Sequence, residues 1–134
     1  MQIRNTASIQ GMQDGELAPE GMISLGKAAG TLYGSIGVGR SFAPNSLMML
    51  NCFKAGARSV GADILDLGAV PAMVMPFCRD ETKCNVMFGN PEDRNRIAGA
   101  TFFTPDGGLF TENQMKILLE RYQNVKNLHL IFSE

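Results

Sequence analysis

The polar stretch NVMFGNPEDRNR, residues 85–96, follows an apolar run and opens into a loop. Loops at such positions are where α/β chains keep their chemistry. Its apex, Phe88, Gly89, Asn90 and Pro91, offers no nucleophile, base or metal ligand. The loop is a degenerate active site, a binding loop or a plain turn. GSIGVGR, residues 34–40, is rich in the glycine that cradles phosphates. Its spacing is not G-x-G-x-x-G, and no Gly-Lys-Ser/Thr follows as in a P-loop. Glycines in a strand also let a helix pack closely.

The remaining reactive side chains do not converge. Asp63 and Asp66 are three apart on an expected strand and so face opposite ways. Asp80 and Glu81 end a helical pattern, and Glu92 and Asp93 stand beside Arg94 and Arg96 in a mixed-charge loop. Cys52, Cys78 and Cys84 form no C-x-x-C, and the single histidine, His129, is remote from them. Zinc sites need closer ligand spacing, so the thiols read as reduced and structural. No serine stands in G-x-S-x-G.

The bulk composition describes one domain spanning residues 1–134. Hydrophobic residues make 45% of the 134 and charged residues 19%, close to ordinary globular usage. A net charge of −1 gives no electrostatic case for nucleic acid or a membrane surface. No apolar run reaches membrane-spanning length and the N-terminus lacks a signal-peptide core, so a cytoplasmic protein is expected. Nine methionines are many, and such residues more often fill core gaps than form a binding surface.

The elements alternate. A helix runs over 16–33, with Pro19 in its first turn and Gly34 at its end. A buried strand follows at 35–40, then a helix over 45–61 with Asn45 or Ser46 as N-cap and Gly61 as the C′ residue. Residues 62–68 read as a strand. Residues 70–83 look helical, with Pro76 expected to kink or shorten them. Strands are expected at 84–89 and 98–104. Thr111 and Gln114 resemble a capping box for a helix over 112–122, and LHLIF, residues 128–132, reads as a last short strand. This alternation predicts an α/β layered domain with a largely parallel sheet.

The order of short motifs resembles the first domain of the α-D-phosphohexomutases, the phosphoglucomutase/phosphomannomutase family, over residues 3–122. IRNTASIQG looks like the family's F-G-T-x-G-I-R-G, carried by Thr6, Ile9 and Gly11. LAPEGMISLGKAAG is similar to the L-T-P-E helix with its L-G-x-A. IGVGRSFAPNS resembles V-x-V-G-R-D-x-R-x-S-S. FKAGARSVGADILDLGAVPAMVM resembles the helix and strand G-L-x-x-x-G-x-D-V-x-D-L-G-x-x-P-T-P. VMFGNPEDRNRIAGATFFTPDGGLF sits where the family has T-A-S-H-N-P, N-G-I-K and F-x-x-x-G.

The resemblance implies a three-layer α/β/α sandwich with a mixed, largely parallel sheet. It also implies isomerase-like chemistry in carbohydrate metabolism. In that family the serine of T-A-S-H-N-P carries a phosphoryl group exchanged between hydroxyls of a phosphosugar. Magnesium bridges that phosphoserine and a D-G-D-x-D-R loop of the second domain. Alignment on Asn90 and Pro91 puts Phe88 at the phosphoserine position and Gly89 at the histidine. Gln10, Ser41 and Ala43 replace charged family residues, while Arg40 and Ser46 remain. No serine lies between Ser59 and Ser133, so no shift of register supplies one to the loop. The metal loop is absent, so no cofactor is expected.

The chain is therefore expected to be a pseudoenzyme, a non-catalytic binding or assembly module. Its expected partners are a second copy or a mutase-like chain, with Met48, Met49, Met73 and Met75 as surface candidates against a favoured core reading. The alternatives are a subunit or fragment of a working phosphohexomutase, and a sensor of phosphosugar or phosphate. The sensor would use Arg40, Ser41, Ser46 and Asn90 in a cleft at the strands' C-terminal ends.

Overall fold

The computed structural model describes residues 2–5, 8–12, 19–43, 45–71, 80–89 and 97–132. Six strands form one sheet in the order β1-β2-β6-β5-β3-β4. They are β1 (Gln2–Asn5), β2 (Ser8–Met12), β3 (Ser35–Arg40), β4 (Asp63–Ala69), β5 (Cys84–Phe88) and β6 (Ile97–Phe103). The helices are α1 (Pro19–Tyr33), α2 (Ser46–Ser59) and α3 (Glu112–Phe132).

The fold is α/β and the sheet is mixed, but less parallel than the alternation suggests. β3 pairs in parallel with β4 and with β5. The β1–β2, β2–β6 and β5–β6 pairs are antiparallel. The physical reason is visible in the connection lengths. A parallel crossover needs a dozen or more residues, which α2 supplies between β3 and β4. The short stretch between Phe88 and Ile97 can only turn the chain back.

Alternation along the strands builds the core. Ile36, Val38, Cys84, Val86, Phe88, Ala100 and Phe102 share one buried cluster with residues of α1, α2 and α3. Their parity puts them on one face of the sheet. The three described helices therefore cover the same face. The opposite face is also buried, since Asn85 is fully enclosed and Met87 nearly so. Most of the helix expected over 70–83 lies outside the described residues.

Helices α1 and α2 meet backbone to backbone. A Cβ at Gly26 would lie 2.1 Å from the Phe53 carbonyl oxygen, and one at Gly56 2.1 Å from that of Ile23. Only glycine permits this approach. The capping expectations hold. The Thr111 N–H donates to Gln114 Oε1 at 2.8 Å, and the Gln114 N–H returns to Thr111 Oγ1 at 3.1 Å. Asn45 takes the N-cap position of α2 without a side-chain capping bond, and Gly61 follows its C-cap at a positive φ of 87°.

One expectation fails. LHLIF is not a strand, because α3 continues through Leu128–Phe132. No glycine or proline interrupts residues 112–132, and Met115, Leu118 and Tyr122 keep one buried helical face. The glycines of residues 34–40 serve the fold, as the close-packing reading expects. Gly34 terminates α1 at a φ of 76°, and Gly37 makes room mid-strand for the Asn85 side chain.

Candidate functional site

The site lies where β3, β4 and β5 end together. Arg40 is the last residue of β3 and stands in register with Ala69 of β4 and Phe88 of β5. The Ser41 N–H donates to the Phe88 carbonyl at 2.9 Å, and the Val70 N–H to the Arg40 carbonyl at 3.1 Å. These bonds hold the three chain exits side by side at the sheet's C-terminal edge.

The turn from β3 into α2 is tied by short polar contacts. Ser46 Oγ donates to the Ser41 carbonyl at 2.7 Å, and Arg40 Nη1 to the same oxygen at 3.3 Å. Ser41 Oγ accepts from the Ala43 N–H at 3.0 Å. The Ser46 N–H reaches the Ala43 carbonyl at 3.3 Å, and the Met49 N–H the Asn45 carbonyl at 3.0 Å. Asn45 makes this possible with a left-handed φ of 72°, a conformation asparagine tolerates better than most residues.

Gly89 brings the second loop onto the first. Its φ is 79°, and its N–H donates to the Gly99 carbonyl at 2.9 Å. A Cβ there would lie 2.6 Å from Ser41 Oγ and 2.8 Å from the Ser46 Cβ. A side chain would thus meet both strain and crowding at this position.

A cleft of about 660 Å³ opens beside this turn. Arg40, Ser41, Phe42, Ala43, Ala69, Val70 and Pro71 line it. Phe42 is 88% exposed. Apart from Arg40 and Ser41, the described lining residues are apolar.

The structure brings together only part of the expected site. Arg40 and Ser41 line the cleft as expected. Ser46 is beside them in space but 1% exposed, and its hydroxyl is spent on the turn. Asn90 lies outside the described residues. Phe88, which the alignment on Asn90 and Pro91 puts at the phosphoserine position, is the last residue of β5. Its ring is fully buried, 5.1 Å from that of Phe53 between centroids. The Phe88 side chain packs in the core and does not line the cleft. Residues 89–96, GNPEDRNR, contain no hydroxyl side chain in any register.

Of the methionines, Met49 is core and Met48 packs partly buried against it, as the core reading expects. Met73 and Met75 lie outside the described residues. Sequence reasoning missed Phe42, Ala43, Ala69, Val70 and Pro71 as cleft residues. The available signal was positional: these residues immediately follow, or end, the parallel strands β3 and β4.

Titratable chemistry is sparse. Burial pushes the Cys84 thiol well above its ordinary value, and burial also raises Cys52. Burial, with the neighbouring Cys84, raises Tyr33 to about 12. Burial would raise Asp66, but the Lys54 hydrogen bond, the Gly68 amide and the charges of Lys54 and Arg58 outweigh it and leave Asp66 lowered. Lys54 Nζ lies 2.8 Å from Asp66 Oδ2. Among the described residues no three His, Cys, Asp or Glu side chains come together as metal ligands.

Residues 1–129 match the family profile for the phosphoglucomutase/phosphomannomutase alpha/beta/alpha domain I. The chain belongs to that family. Among curated relatives, "Probable phosphoglucosamine mutase" of Methanosarcina acetivorans is 23% identical over 124 residues, 92% of this chain and 29% of its own. The phosphoglucosamine mutase of Methanococcus aeolicus is 25% identical over 117 residues, 87% of this chain and 26% of its own. A crystal structure of a phosphoglucomutase/phosphomannomutase family protein from Burkholderia thailandensis superposes with a TM-score of 0.75 at 18% identity. The match covers 93% of this chain and 31% of that one. The chain thus spans less than a third of the length of these proteins. No described helix is long and apolar enough to cross a membrane.

Proposed function

We propose that this chain is a phosphohexomutase first domain that binds or assembles and does not itself carry the phosphoryl group. One observation carries the reading. The loop that should present the nucleophile, residues 89–96, has no hydroxyl, and no serine lies anywhere between Ser59 and Ser133. The surroundings support it. A phosphoryl dianion needs several charge-assisted donors, and the described cleft offers one guanidinium among apolar walls. The nearby serine hydroxyls are turned into the β3–α2 turn.

What remains is a scaffold. Glycines that close the α1–α2 contact and shape the turns are kept, because fold and site have separate requirements. The partner is a second copy or a mutase-like chain whose domains complete the sandwich stack. Capture from native cell lysate tests this. The expected result is recovery of a chain bearing the D-G-D-x-D-R loop, or self-association in analytical ultracentrifugation. A strict monomer at high concentration that captures nothing would count against assembly.

A second reading is favoured by length. The matches cover nearly all of this chain but under a third of each relative, which suits a piece or subunit of a working phosphohexomutase acting on phosphosugars. Mutase activity that appears only when the captured chain is added would support that reading.

A further inference from the structure

The two parallel strands that end at the cleft are not matched residue for residue. Val38 of β3 stands in register with Asp66 of β4, and Arg40 with Ala69. Two steps along β3 thus oppose three along β4, so β4 carries one extra residue as a bulge. Gly68 absorbs it with a left-handed φ of 70°.

That extra residue decides what the cleft meets. Side chains alternate between the faces of a strand, so one added residue moves every later side chain to the other face. Without it, Gly68 would stand opposite Arg40. With it, Ala69 takes that place, and the Val70 N–H reaches the Arg40 carbonyl at 3.1 Å. Ala69 and Val70 both line the cleft beside Arg40.

Asp66 secures the bulge with both carboxylate oxygens. Oδ1 accepts from the Gly68 N–H at 2.9 Å. Oδ2 accepts from Lys54 Nζ at 2.8 Å, and Lys54 belongs to α2. The charge of Arg58, one turn further along α2, also favours the carboxylate. The same helix opens at Ser46, whose hydroxyl donates to the Ser41 carbonyl at 2.7 Å in the exit from β3. One helix is therefore tied to both walls, to the first at its opening residue and to the second about two turns later.

We propose that Asp66 is a positioning residue, a clamp between α2 and the β4 bulge that sets which side chains after Gly68 face the cleft. Asp66 is not among the lining residues and acts through the Gly68 amide. The role stands whatever the cleft holds, and whether or not the chain accepts a phosphoryl group.

NMR of the labelled, folded chain tests this. The readouts are the through-hydrogen-bond coupling from the Val70 nitrogen to the Arg40 carbonyl and the cross-strand NOEs between Arg40 and Ala69. Both are expected in the native chain. Asp66→Ala removes both contacts of the carboxylate and should abolish both signals. Asp66→Asn keeps an acceptor for Gly68 and loses the ion pair, and Lys54→Met loses the ion pair alone. The pair is partly exposed and so of modest strength, and both variants should retain the signals at reduced size. The Ser41 N–H to Phe88 carbonyl bond, on the other side of the same turn, should persist throughout and report that each variant is folded. A residue that only added stability would lower the melting temperature and leave these folded-state signals unchanged. Native signals in folded Asp66→Ala overturn the proposal. So does a loss in Asp66→Asn as complete as in Asp66→Ala, since the cap is then not what holds the bulge. Native signals in Lys54→Met overturn the link to α2. Asp66→Asn and Lys54→Met decide the matter if Asp66→Ala does not fold.

Discussion

At the residue scale, Phe88 separates what the chain has lost from what it has kept. A linear alignment makes it a nucleophile replaced by phenylalanine. In the fold it is a core residue at the end of β5, its ring tilted against that of Phe53. Phe88→Ser should therefore restore no phosphoryl acceptance. It should destabilise the domain by about 3–5 kcal/mol, the cost of emptying a buried aromatic site, read from urea unfolding. Cys84 makes a second prediction. Its folded thiol is held protonated by burial, while the unfolded thiol ionises near its ordinary pKa of about 8.5. Above that pH the folded state binds more protons than the unfolded state. The contribution of Cys84 to stability is thus complete below the ordinary thiol pKa and falls as pH rises above it. Cys84→Ala should flatten that alkaline decline in chemical denaturation. In the native protein Cys84 should resist alkylation, since thiolate is the reactive form.

At the scale of elements, the parts with local signals were legible and the long-range ones were not. Pro19 and Gly34 bracket α1, and the reciprocal Thr111–Gln114 bonds open α3, as their residue types require. Thr111→Ala should cost about 1 kcal/mol, the usual value of an N-cap, measured by thermal unfolding. The β1–β2 hairpin gave no such signal. QIRN and SIQGM are short and mixed, and their place in the sheet depends on β6, some ninety residues on. LHLIF misled because a five-residue apolar run fits a strand or a helix equally, and only the unbroken helical face before it decides. The α1–α2 contact is set by two glycines whose role sequence spacing could not reveal. Gly26→Ala or Gly56→Ala drives a methyl into a facing carbonyl and should destabilise by about 1–3 kcal/mol, the range for an overpacked interface.

At the scale of the whole molecule, the family was legible because several weak motifs occur in one order, and residues 1–129 match its first-domain profile. The cleft was legible only as a location. Strand ends predict where an α/β sheet binds ligands, and Arg40 and Ser41 are found there. Its apolar character was not legible, because it arises from Phe42 and Ala43 on one crossing and Val70 and Pro71 on another. What this molecule can hold covalently separates a binding module from a working mutase domain. The direct measurement is intact mass after incubation with magnesium and a hexose 1,6-bisphosphate, alone and with a phosphoglucosamine mutase present. An unchanged mass in both cases is the predicted result. A stoichiometric phosphoryl adduct mapped within residues 89–96 would contradict the account.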